Sequence, residues 1–141
     1  MTSSSSKTFP ATLPSLHAIL AWATSLLERE GLSLIERKKI ELALEEAVIN
    51  IIHYSYPSTE GTIELIYSFS ETGWVSFTLK DRGRPFDPTT KQRSFDAEDL
   101  PIEQRKIGGL GIPFLYALLD DIEYRREAKT NVLVLKKNIH S

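Results

Sequence analysis

The chain has no cysteine in its 141 residues. Disulfides and thiolate metal sites are therefore excluded, and a reducing cytoplasm is the expected setting. Nor does any apolar stretch approach the ~20 residues that a helix needs to cross a bilayer. Residues 1–7 hold a serine run without an apolar centre, which does not read as a secretory signal. A charge excess of one sign is also lacking, with 17 Lys and Arg against 19 Asp and Glu, a formal −2. That balance gives no global attraction to nucleic acid or to an anionic membrane, so a bound anion has to be held by local geometry. The three histidines, His17, His53 and His140, stand far apart, and ordinary surface or half-buried positions account for them better than a zinc site does. No internal repeat with a period of about 20 residues or more is present. What remains is the composition of an ordinary globular protein, 41% hydrophobic and 26% charged, at a length that suits one core.

Hydrophobic periodicity divides the chain. Residues 1–6 are expected to be a disordered tail, and residues 7–11 a short edge strand. Leu16, Ile19, Leu20, Ala23, Leu26 and Leu27 follow helical spacing, with Gly31 suited to the C-cap. Ser33 and Glu36 form a capping box that opens a second helix, expected to run to about Tyr54, ahead of Pro57. The period then changes to two: Ile63, Leu65, Tyr67 and Phe69 alternate, as do Val75, Phe77 and Leu79, around a turn at residues 71–73. Residues 82–106 are long, polar and carry three prolines, which marks a functional or mobile loop. A short helix over 112–119 and strands over 122–126 and 131–137 follow. The expected fold class is α+β: a two-layer sandwich with a mixed or antiparallel sheet and helices on one face.

Three segments carry possible chemistry. On the second helix Glu46 and Asn50 are four apart, so they lie ~40° apart on one face, beside the apolar stripe of Ile40, Leu44, Ala47 and Ile51. A carboxylate and a carboxamide there suit a base and a hard-metal ligand; a solvated helix edge is the plainer account. Next comes Asp81-Arg82-Gly83-Arg84-Pro85-Phe86-Asp87-Pro88 at a strand end. It can present an acceptor into a pocket, or it is a surface turn built from typical turn residues. Last, Gly108, Gly109 and Gly111 precede a helix, where backbone N–H groups and the dipole favour an anion. A flexible hinge would use the same glycines.

In this order the three segments resemble the N, G1 and G2 boxes of the GHKL ATPase superfamily. Within it they are most similar to the bacterial anti-sigma-factor serine/threonine kinases, over roughly residues 9–137. The resemblance implies a single histidine-kinase-like ATPase domain over residues 7–138, with an ATP lid over about 89–107. It implies that Glu46 is the catalytic carboxylate and that Asn50 binds Mg²⁺. It implies further that ATP is held by Asn50, Asp81, Gly83, Pro85, Phe86, Lys106, Gly108, Gly109, Leu110, Gly111 and Thr130, with Asp81 accepting from the adenine amino group. Arg105 joins Lys106 as a candidate phosphate contact. Family members commonly carry His four residues beyond the Asn; Tyr54 stands there in this chain, with His53 before it. A small residue or glycine often precedes the last strand, where this chain has Ala128, Lys129 and Thr130.

The expected activity is phosphorylation of a small anti-sigma-factor antagonist on Ser or Thr. The expected partners are that antagonist, a sigma factor or similar effector, and a second copy of the chain. An ATP-dependent sequestering module with little catalysis would use the same residues. Arg125 and Arg126 beside Lys136 and Lys137 read as a solvated, basic strand edge, and Trp22 and Trp74 as core or interface anchors.

Overall fold

Alternation at period two predicts strands with one buried face, and the computed structural model, which describes residues 3–89 and 111–139, has five of them. The described chain runs β1 (Ser3–Pro10), a 3₁₀ turn (Leu13–Ser15), α1 (Leu16–Arg29), α2 (Leu34–Asn50), a π-helical turn (Ile51–Ser55), β2 (Thr62–Phe69) and β3 (Trp74–Asp81). It continues with α3 (Gly111–Leu118), β4 (Asp121–Glu127) and β5 (Thr130–Asn138). The strands form one sheet in the order β1-β2-β3-β5-β4, and every neighbouring pair is antiparallel. The α+β class expected from the sequence is what the chain adopts.

Ile63, Leu65 and Tyr67 of β2, Val75, Phe77 and Leu79 of β3, and Leu133 and Leu135 of β5 point to the same side. There they meet Ile19, Ala23, Leu26 and Leu27 of α1 and Ile40, Ala43, Leu44, Ala47 and Val48 of α2. Each fully buried Leu, Ile or Phe contributes about 1.5–3 kcal/mol from area removed from water, so this one layer dominates stability. The start of α2 is fixed locally, since Ser33 Oγ accepts from the Glu36 amide at 3.2 Å as the N-cap. Gly31 holds φ +74° between α1 and α2, a left-handed turn that suits glycine after a helix end.

Two expectations need correction. Residues 3–6 are not a tail: β1 begins at Ser3, and Ser3 to Ser6 pair in register with Phe69 to Ile66 of β2. Serine has little strand preference of its own, so the partner strand supplies the order. The second helix also changes character before Tyr54. Its α form stops at Asn50, and Ile51–Ser55 is a π turn with one extra residue in its hydrogen-bonded ring. Trp22 packs against the core, edge-on to Phe9 at 6.0 Å, whereas Trp74 is exposed.

Candidate functional site

The phase of α2 puts Asn50 in line with Ala43 and Ala47, which face the sheet. Asn50 is accordingly buried, deeper than the helix edge its spacing to Glu46 alone suggests. Neither atom of its carboxamide has a hydrogen-bond partner among the described residues, and buried Glu46 Oε2 has none either. An unpaired buried polar group costs about 1–3 kcal/mol, so three such atoms on adjacent turns mark a place kept for something other than stability. Burial pushes the Glu46 carboxyl above its ordinary range, and the neighbouring Glu45 charge adds to that rise. The buried His53 Nε2 and Ser55 Oγ also lack partners among the described residues.

The π turn that follows carries the other wall. The Tyr54 ring stacks on Phe86 at 4.7 Å and 9°. Arg84 donates from its amide to the Ser55 carbonyl at 2.9 Å and from Nε to the Tyr54 carbonyl at 2.8 Å. Tyr56 Oη accepts from the Arg82 amide and donates to the Thr62 carbonyl. Residues 82–86 are thereby stitched to the end of α2. Gly83 is required for that approach, because a Cβ there would stand 2.3 Å from the Ser55 carbonyl oxygen.

Asp81 closes the site at the end of β3, buried although it is a carboxylate. Its Oδ1 accepts from Asn131 Nδ2 at 2.9 Å and from the Gly83 amide at 3.0 Å. Burial raises the Asp81 carboxyl above the usual range. Those two bonds, the Ser55 hydroxyl and the Arg126 charge oppose the rise, the hydroxyl lying close without completing a hydrogen bond. Asn131 sits directly across the ladder from Asp81 and also donates to the Arg84 carbonyl at 2.9 Å. Its Oδ1 accepts from Arg126 Nη1 at 2.9 Å and from Tyr124 Oη. The same Arg126 nitrogen donates to the Gly83 carbonyl at 3.1 Å.

Asn50, Asp81, Phe86, Tyr124 and Asn131 are among the residues around a cavity of about 10 Å³, room for one water. A wider hollow of about 550 Å³ opens on the opposite sheet face, between Thr8, Lys80, Arg82 and Thr130, but the unpartnered polar atoms are on the helix side.

The structure thus brings Glu46, Asn50, Asp81, Gly83 and Phe86 into one region, while Pro85 is exposed on its rim. Gly111 opens α3. Arg105, Lys106, Gly108, Gly109 and Leu110, and all of the expected lid beyond Thr89, lie outside the described residues. Thr130 is on the sheet face away from Asp81. Its hydroxyl turns back to the Ala128 carbonyl at 3.4 Å, and the next residue, Asn131, faces Asp81. A one-residue step along a strand exchanges the two sheet faces, which is why Asn131 and not its neighbour meets Asp81. Arg126 was expected on a solvated edge and instead reaches inward. Its only signal in the sequence is alternation with Tyr124 and Ile122.

Residues 9–137 match the profile of the histidine kinase-like ATPase domain. The serine-protein kinase RsbW of Bacillus thuringiensis strain Al Hakam is 26% identical over 110 residues, covering 77% of this chain and 68% of that protein. The RsbW of Bacillus mycoides is similar to the same extent. Among solved structures, the RsbU and RsbW domains of a Mycobacterium tuberculosis protein superpose with a TM-score of 0.68 at 18% identity, over 97% of this chain; the chain spans only 32% of that one. A histidine kinase domain from Erythrobacter litoralis gives 0.55 at 13% identity, over 89% of this chain and 61% of its own. These two share the fold.

Proposed function

The chain belongs to the histidine kinase-like ATPase domain family, and from that premise we propose that it is an ATP-dependent serine/threonine protein kinase of the anti-sigma-factor type. In this reading it phosphorylates a small antagonist protein, binds a sigma factor or similar effector in turn, and works in the cytoplasm as a homodimer. The relatives named serine-protein kinase support the transfer chemistry. No described helix is long and apolar enough to cross a membrane.

One observation carries the proposal: unpartnered Asn50 lines the same small cavity as Asp81, a buried carboxylate whose two hydrogen-bond donors both fall on Oδ1, and the unpartnered Glu46 Oε2 lies one helical turn before Asn50. These groups fit a magnesium nucleotide. Asn50 offers a neutral oxygen donor. No group of three or more His, Asp or Glu converges among the described residues, so phosphate oxygens and waters would complete the coordination that Mg²⁺ favours. Bound there, Mg-ATP supplies the phosphoryl group and the cation that offsets its charge. Asp81 accepts from the adenine amino group, and Gly83 lets the backbone come close to the base. The cavity of about 10 Å³ is too small for adenine, so the base enters only with a rearrangement of the residues that line it. Glu46 orients the attacking hydroxyl and takes its proton, a task that its raised carboxyl serves better than an ordinary glutamate would. The amino end of α3 at Gly111 favours phosphate charge. Lys106, Gly108, Gly109 and Leu110 join it there by the family resemblance.

The test is incubation of the protein with labelled ATP, Mg²⁺ and a candidate antagonist, beside an ATP titration by calorimetry. Phosphoserine or phosphothreonine on the antagonist, abolished by Glu46→Gln with ATP binding kept, is the expected result. ATP binding without phosphoprotein would leave the sequestering module as the function. Absence of ATP binding would overturn both.

A further inference from the structure

Arg126, Asn131 and Asp81 form a single row across three adjacent strands, β4, β5 and β3. Arg126 is paired with Asn131 in one ladder, and Asn131 with Asp81 in the next. The row exists because the β4–β5 hairpin closes in two residues, Ala128 and Lys129, with φ of 52° and 64°. Both are left-handed, a backbone that residues other than Gly, Asn and Asp seldom adopt, and it locks this register. A guanidinium, a carboxamide and a carboxylate then stand in line.

The amide in the middle has one workable orientation. Its oxygen accepts from Arg126 and from Tyr124, and its nitrogen donates to Asp81 Oδ1 and to the Arg84 carbonyl. Reversed, the oxygen would face the carboxylate and the NH₂ would face the guanidinium, opposing charge on both sides. The Phe86 amide, at 3.5 Å from the oxygen, and the Arg84 carbonyl favour the same orientation, and Arg126 adds the one charged contact that sets which end of Asn131 meets Asp81. Through its bond to the Gly83 carbonyl it also fixes the loop whose amide is the other donor to that oxygen.

We infer that Arg126 is a specificity-determining positioning residue: acting through Asn131, it keeps Asp81 purely an acceptor, so that the site takes a purine carrying an amino group at position 6 and rejects one carrying a carbonyl there. The inference rests on the nucleotide reading above and assigns its base selectivity to a residue outside the N, G1 and G2 segments. A carboxylate whose nearer oxygen is saturated by donors can only accept from a ligand, and a carbonyl oxygen brought to it meets like charge. Without the guanidinium, Asn131 loses its charged anchor and reverses more readily against the Arg84 carbonyl and the Phe86 amide, and Asp81 takes up a proton more readily, after which it donates to a carbonyl as well as accepting from an amine.

The experiment compares ATP with ITP, which differ at that position, by calorimetry on the full chain. The proteins are wild type, Arg126→Met, Arg126→Lys and Asn131→Ala, with the urea midpoint of each measured in parallel. Wild type is expected to prefer ATP. Arg126→Met is expected to weaken ATP roughly 10- to 100-fold, the worth of a charge-assisted hydrogen bond, while ITP binding holds or improves and the preference collapses. Arg126→Lys restores most of the preference, which a purely structural role does not predict. Asn131→Ala, with the relay removed and Arg126 kept, loses the preference too, and decides the matter should Arg126→Met fail to fold. Equal losses of ATP and ITP in step with a lower urea midpoint, or an unchanged ATP-to-ITP ratio in Asn131→Ala, would overturn the inference while leaving ATP binding intact. A wild type that binds neither nucleotide overturns the nucleotide reading itself.

Discussion

Strands β3 and β5 face the helices with three successive rungs: Phe77 opposite Leu135, Leu79 opposite Leu133, and Asp81 opposite Asn131. All six residues are buried to 4% exposure or less. At the first two rungs burial is itself the stabilising term. At the third the same burial is a cost that only a network from β4, the loop after β3 and the π turn holds down. The ladder is continuous, yet its dry end is there for the fold and its polar end for the site. On the helix side α2 repeats the contrast, with Leu44 and Val48 satisfied by apolar contact and Glu46 and Asn50 left without partners among the described residues.

If that division holds, substitutions at the two ends separate stability from function. The largest effect is expected at Glu46. Glu46→Gln should lower the phosphoryl-transfer rate by about 10²–10⁴-fold, the usual share of a positioned base, with ATP affinity nearly unchanged in single-turnover and binding assays. Its folding stability at neutral pH should rise, because the native carboxyl is raised by burial: stability linked to that group is present below the ordinary glutamate range and lost as pH climbs through the raised value. At the dry end, Leu79→Ala should cost about 2–5 kcal/mol in urea unfolding. Asp81→Asn, one rung away, should do the reverse. ATP binding is lost, while stability at pH 7 is equal to or above wild type, the difference vanishing as pH falls below the ordinary aspartate range. A large loss of stability in Asp81→Asn would break the comparison.

Smaller effects sharpen it. Gly83→Ala belongs to both halves, since its Cβ meets the Ser55 carbonyl. It should cost about 1–3 kcal/mol and weaken ATP binding together, read from a urea curve and a titration on the same preparation. Ser33→Ala removes the N-cap of α2 far from the polar end, and should cost about 1 kcal/mol with no change in nucleotide affinity.

The polar end was partly legible beforehand. Glu46 and Asn50 show in the sequence because a four-residue spacing on a capped helix fixes a shared face. Asp81 and Gly83 show because they end an alternating strand. Asn131 was not legible in place of Thr130, since adjacent strand positions differ only in which face they take, and the hairpin register decides that. Arg126 lies one residue from the end of β4, and composition marks it as solvated. Its inward bonds depend on Gly83 and Asn131, 43 and 5 residues away in sequence. The π turn leaves no compositional trace, because it differs from an α turn by one hydrogen-bond step.

Local chemistry in the sequence was enough to determine the α+β class, the periods of α1, α2, β2 and β3 and the Ser33 cap, while the nucleotide came from the resemblance of three segments, taken in order, to a known family. Each of the local features follows from residues within a turn or a strand of one another. Tertiary structure alone decided that Ser3 to Ser6 join the sheet, that Asn131 rather than Thr130 meets Asp81, and that Arg126 turns inward. Register, burial and pairing are properties of two or more segments at once, so no single stretch of sequence carries them.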